Sequence, residues 1–188
     1  MKKQFRVYLR ALEPEDYKIS VRWRKDDEIW RTVVGPKHFV SAAYEKKWVE
    51  DTIFNPGNKL ILGVCLKETD ELIGFVHLIN IDHKNKSAAS GKLIGEKEHW
   101  SKGYGAEATL QILYHAFMVL GLHRVESRQI TGHQAAIRSI EKIGYQQEGV
   151  LRKAVFKHGR YQDVNIMSIL KEDFEPYLKE YEWEYIPG

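Results

Sequence analysis

The segment Trp100-Ser101-Lys102-Gly103-Tyr104-Gly105-Ala106-Glu107-Ala108 constrains this chain more than any other. It lies between an apolar run at 88–94 and the strongest helical pattern in the sequence, where Leu110, Leu113, Phe117 and Leu120 recur at spacings of three and four. That period predicts one helix over 103–120, stopped by Gly121. Ile112, Met118 and Val119 carry apolar surface round its other sides, so burial on more than one face is expected. Glycines at a strand-to-helix turn let the backbone approach a ligand closely. Free N–H groups at a helix N-terminus favour an anion, and Lys102 adds positive charge. A tight turn that merely feeds a helix would use the same residues.

The flanking patterns read as mixed α/β. Alternation at 4–9 predicts a first strand. Pro14 opens a helix that carries 17–23, and Gly35-Pro36 breaks the chain. Ser41 caps a second helix through Tyr44, Trp48 and Val49. Runs at 60–66 and 72–81 form a hairpin, followed by the weaker strand at 88–94. After the long helix come a strand at 124–131, a short helix at 135–143 stopped by Gly144, and a hairpin of 151–156 with 163–170. The expected fold is an α/β (α+β) domain over 1–170 with a mixed, mostly antiparallel central sheet flanked by helices. An acidic, aromatic tail at 171–188 is expected to pack or to serve a homo-oligomer.

Composition excludes several classes. The 188 residues are 43% hydrophobic with a net charge of +3, and the charges are interspersed, so no nucleic-acid footprint appears. No stretch approaches a membrane span and no signal peptide is visible, so a cytoplasmic protein is expected. No metal ligand set is assigned. The single cysteine, Cys65, sits in an apolar run and reads as a small buried hydrophobe.

Gly103-x-Gly105-x-x-Ala108 formally matches a dinucleotide fingerprint, with Glu126 near the distance of a ribose-binding acid. The eight residues 95–102 separate strand from glycine turn, however, and that spacing argues against it.

The pattern Lys102-Gly103-Tyr104-Gly105-Ala106, with the later run 136–145 ending in Glu141-Lys142-Ile143-Gly144-Tyr145, resembles the GNAT N-acetyltransferases. Gly159-Arg160-Tyr161-Gln162-Asp163-Val164 and the opening Leu9-Arg10-Ala11-Leu12-Glu13-Pro14-Glu15-Asp16 are similar to the spermidine and ribosomal-protein N-terminal branches. The likeness spans about 5–170 and implies the GNAT fold, acetyl-CoA as donor, and direct attack by an amine. It implies main-chain contacts from Leu93 and Ile94 to the pantetheine arm. It places the pyrophosphate on the N–H groups of Lys102, Gly103, Tyr104, Gly105 and Ala106, with Trp100 and Ser101 opening the cofactor-binding loop and His133, Ala136, Ile140, Arg138 and Lys142 from the second motif nearby.

This chain departs from the family pattern where protons move. Ser90 stands at the usual Glu of the fourth strand and Ile140 at the usual Tyr. Glu126 is the remaining candidate base, although a strand-face Glu needs no such role. Positioning alone can carry much of such a transfer.

The acceptor stays open. Asp26, Asp27 and Glu28, or the acidic tail, suit a polyamine. The stretches Trp23-Arg24-Lys25-Asp26 and Trp30-Arg31 resemble amino-sugar-nucleotide acetyltransferases, for which Arg22, Arg24 and Arg31 would be the basic neighbours. A GNAT-fold protein that binds acyl-CoA without turnover is the alternative from a different class.

Overall fold

A computed structural model of the chain describes residues 2–35 and 39–183. Within them runs a seven-stranded sheet of order β1-β2-β3-β4-β5-β7-β6. The strands are β1 (Val7–Arg10), β2 (Leu60–Leu66), β3 (Leu72–Asp82), β4 (Ser87–Ile94), β5 (Arg124–Ile130), β6 (Gln146–Lys157) and β7 (Arg160–Leu170). Every neighbouring pair is antiparallel except β4 with β5.

That one parallel pair organises the molecule. It is registered only from Ser87↔Arg124 to Ser90↔Ser127. Beyond it β4 continues to Ile94 on β3 alone, and β5 continues to Ile130 on β7 alone. The two strands therefore part into a V, walled by 91–94 and 128–130. Free backbone groups face one another across that gap, ready for a ligand.

Helices cover both faces. On one lie α1 (Tyr17–Lys25), α2 (Asp27–Thr32) and α3 (Ala42–Phe54), with Trp23, Ile29, Val49, Phe75 and Cys65 buried among them. Trp23 meets Phe75 edge-on at 5.1 Å. On the other lie α4 (Tyr104–Tyr114), α5 (Gln134–Glu141) and α6 (Lys171–Glu180), over a larger core that includes Val125, Ile140, Met167 and Phe174. The short α2, which periodicity did not announce, starts where Asp26 accepts from the N–H groups of Glu28 and Ile29. The expected break at Gly35-Pro36 involves Pro36, which lies outside the described residues.

Two expectations change. The helix over 103–120 is α-helical only to Tyr114 and finishes as a π turn, His115–Val119. Ala108 to Leu113 are buried all round, as the sequence suggested, and so are Ala116 and Phe117. Met118 and Val119 emerge into solvent instead, because the wider turn rotates them off the core. The expected tail begins with α6, whose Phe174 is fully buried 5.4 Å from Phe117. Trp183 stacks on Tyr114 at 4.6 Å and Tyr181 on Phe5 at 4.8 Å. These aromatics cover the domain's own core, an area term of roughly 1.5–3 kcal/mol for a residue such as Phe174. Glu184 and Tyr185 lie outside the described residues. Among those described, no helix is long and apolar enough to cross a membrane.

Candidate active site

The loop between β4 and α4 is longer than a simple turn because it folds under itself. A 3-10 turn, Lys97–His99, returns the chain, and the Trp100 indole donates to the Ile94 carbonyl at 2.8 Å. Trp100 also packs against the α1–α3 core. It thus braces the loop from inside, and the Ile94 carbonyl is already engaged. Gly95 follows β4 so close to Trp23 that a Cβ there would fall 2.0 Å from the indole, so only glycine fits.

Two left-handed residues then turn the chain into α4: Ser101 at φ 62° and Gly103 at φ 90°. The second is natural only for glycine. Ala106 N–H donates to the Gly103 carbonyl at 3.0 Å, so that amide is already engaged, and the turn into α4 is made by Gly103, Tyr104 and Gly105. Among the described residues, the N–H groups of those three have no hydrogen-bond partner. They stand at the positive end of α4.

The turn is braced by Arg6, the residue just before β1. Arg6 Nη2 donates to the Lys102 carbonyl at 2.8 Å, and its guanidinium lies 4.7 Å from the centre of the Tyr104 ring. Glu107, in the first turn of α4, is neutralised by the same arginine.

Inside the V, side chains alternate between faces. Ser90, Lys92 and Ile94 point toward α4 and α5; Ala89, Gly91 and Leu93 point toward α1–α3. At the vertex Ser90 Oγ lies 2.7 Å from the Tyr145 hydroxyl, and Ser127 Oγ donates to the Ser90 carbonyl at 3.1 Å. Burial pushes the Tyr145 phenol well above its ordinary value, with the Ser90 hydrogen bond opposing. Glu126 lies on the opposite face from Ser90 and Lys92, its carboxylate 3.1 Å from Arg128 Nε and 4.0 Å from Arg124. That carboxylate is matched by cations.

The second motif is split along α5. His133 occupies the N-cap position without making a side-chain cap bond. Its pKa is lowered by burial first and by the charge of Lys92 second. Ala136 is half-buried, and Ile140 is a core residue, 2% exposed. Lys142 lies at the far end of the helix from His133, and its carbonyl accepts from the Tyr177 hydroxyl. Sequence reasoning missed Arg6, Lys92 and Tyr145. Lys92 was the findable one, since a lysine amid an otherwise uncharged strand is unusual.

The acetyltransferase (GNAT) domain family matches residues 6–146. The chain belongs to the GNAT acetyltransferases. It is 29% identical to the uncharacterized N-acetyltransferase p20 of Bacillus licheniformis over 170 residues, which cover 90% of this chain and 95% of that one. It is 34% identical to the spermidine N(1)-acetyltransferase of Vibrio cholerae over 103 residues, covering 55% and 59%. The crystal structure of the Vibrio cholerae spermidine N-acetyltransferase, in complex with CoA and spermine, superposes with a TM-score of 0.83 at 26% identity, covering 90% of this chain and 98% of that one. As an N-acetyltransferase, this GNAT chain has the catalytic task of bringing an acyl donor and an amine together.

Proposed function

We propose that this enzyme takes acetyl-CoA as donor and acetylates a small primary amine of the polyamine class by direct attack. The observation that carries the reading is the set of unpartnered amides at Gly103, Tyr104 and Gly105, presented at the head of α4 beside the open V. A diphosphate suits those amides, and the pantetheine arm then runs along the free edge at Leu93 and Ile94. The thioester reaches the vertex near Ser90 and Ser127. Glu126, on the α1–α3 face, is the candidate base, although Arg128 and Arg124 already match its carboxylate.

The polyamine class is supported by the likeness to the spermidine enzymes of Vibrio cholerae. The local charges agree in part. A depression lined by Arg22, Trp23, Asp26, Gly95 and Glu96 adjoins the end of β4. Two of its three carboxylates are held by cations of the chain, Asp26 by Lys97 and Glu96 by Arg22. A di- or triamine can compete for these half-buried carboxylates, because solvent-accessible ion pairs contribute only about 0–1 kcal/mol.

The amino-sugar-nucleotide reading loses two of its three basic residues, Arg22 and Arg24, to other work. Arg24 is bound to the fully buried Glu45 and lies over the Trp30 and Trp48 rings at 5.1 and 4.7 Å. Arg22 is paired with Glu96.

The test is thiol release from acetyl-CoA across spermidine, spermine, peptide N-termini and a UDP-amino sugar. Acetylated polyamine identified by mass is the expected result. Preference for the sugar nucleotide overturns the acceptor class. CoA binding by calorimetry without thiol release on any amine overturns turnover itself.

A further inference from the structure

The buried-face lysine of the V has no role in the reading so far, and its surroundings are specific. Lys92 is the first residue beyond the last β4–β5 pair, Ser90↔Ser127, whose side chain points toward α4 and α5. Its stem lies on the phosphate cradle: a Cβ on Gly105 would stand 3.3 Å from Lys92 Cδ and Cε. Its amine then spans the opening, 3.2 Å from Thr109 Oγ1 on α4 and 3.4 Å from Ser139 Oγ on α5.

Both partners are neutral hydroxyls. Thr109 spends its own proton on the Gly105 carbonyl at 2.7 Å, so its oxygen is left to accept from Lys92. Among the described residues no carboxylate pairs with this amine. The titratable groups around it are His133, whose proton it disfavours, and the Tyr145 phenol, bonded to Ser90 on the same side of β4. The neighbouring α5 side chain, Ile140, has no proton to give.

We propose that Lys92 is the proton donor to the departing thiolate of coenzyme A. The neutral acceptor amine attacks the thioester carbonyl carbon, the C–N bond forms, and the C–S bond breaks with its electron pair on sulfur. The Lys92 ammonium gives that sulfur a proton. The proton shed by the new amide nitrogen passes to solvent, and solvent restores the ammonium, so amine and thioester become amide and thiol with nothing left over. Burial without a counter-ion brings the Lys92 pKa down to about 8, close to that of a thiol, which is the matching that efficient proton transfer needs.

The inference rests on the proposed acetyl-CoA reaction, and the experiment separates the two. Thiol release and CoA binding are measured for the wild type, Lys92→Met and Lys92→Arg, with spermidine as acceptor. Lys92→Met should lower kcat by about 100-fold while the calorimetric Kd for CoA changes by less than about threefold. In the wild type, kcat/KM should fall as pH rises through about 8, and that limb should vanish in Lys92→Met. Lys92→Arg keeps the charge but holds its proton too tightly, so it should not rescue.

An unchanged kcat in Lys92→Met, full rescue by Lys92→Arg, or a loss confined to CoA affinity overturns the proposal while leaving the reaction standing. Should Lys92→Met fold poorly, the wild-type limb and the Lys92→Arg result decide by themselves. A wild type that releases no thiol with any amine removes both readings together.

Discussion

Arg6 and Glu107 are joined by two hydrogen bonds at the head of α4, beside the proposed phosphate cradle: the Arg6 backbone N–H donates to Oε2 and its side-chain Nε to Oε1, both at 2.7 Å. A glutamate in the first turn suits the dipole of α4 but would repel a diphosphate seated there. Arg6 cancels that charge and turns the Lys102 carbonyl away from the amides. Arg6→Ala should therefore weaken CoA binding by about tenfold, equivalent to ~1.4 kcal/mol. Glu107→Gln, which removes the repulsion along with the pair, should cost less. Calorimetry of both variants checks the order.

Gly103 carries the strictest backbone demand in the cradle, with φ at 90° and a prospective Cβ 3.2 Å from Arg6 Nη2. A side chain there costs roughly 1–3 kcal/mol in strain and crowds the anion. Gly103→Gln should thus lower CoA affinity far more than Glu126→Gln, whose carboxylate is on the other face of the sheet. If both variants bind CoA like the wild type, the cradle lies elsewhere.

Cys65 is wholly buried on β2, and burial pushes its thiol up while Arg10 and Tyr8 pull it down less. A protonated thiol enclosed this way is a poor nucleophile. Cys65→Ala should leave turnover within about twofold and lower stability by about 1 kcal/mol. An acetyl group captured on Cys65 during turnover would overturn direct transfer.

His77 faces Gly91 across β3 and β4, and burial lowers its pKa from 6.5 to about 4. The unfolded chain takes up this proton near 6.5, whereas the folded one resists it until about 4. Stability is therefore intact above 6.5 and declines as pH falls through that window. Thermal melts at stepped pH should show the decline, and His77→Gln should make it shallower, leaving the part contributed by His115 and His133. Glu148, held down to about 2 by Arg124 and Ser168, acts below its ordinary 4.5, so the interval between 6.5 and 5 belongs to the buried histidines: His77, with the largest shift, and His115 and His133, which burial also lowers.

Much of the fold was legible because local signals agreed with burial. The capping Ser41, the stop at Gly144 and the hairpin turn between Lys157 and Arg160 all depend on residues near in sequence. The tail was less legible. Its acidic and aromatic composition suits either a surface or a helix, and only the cavity left by Phe117 and Tyr114 selects burial of Phe174 and Trp183. The π turn at His115–Val119 was hidden because apolar residues all round a helix do not specify its pitch.

The linear order of residues determined a strand, a glycine turn and a long helix around 103, since close approach and helix periodicity are properties of neighbours. Which amides in that turn stay free was decided by the fold, through Trp100 beneath it and Arg6 arriving from just before the first strand. The same holds for Lys92. Its character as a lysine was written in the chain, but its position between Thr109 and Ser139 came from three elements meeting where two parallel strands part. Contacts of that kind join residues dozens of positions apart, and no local pattern records them.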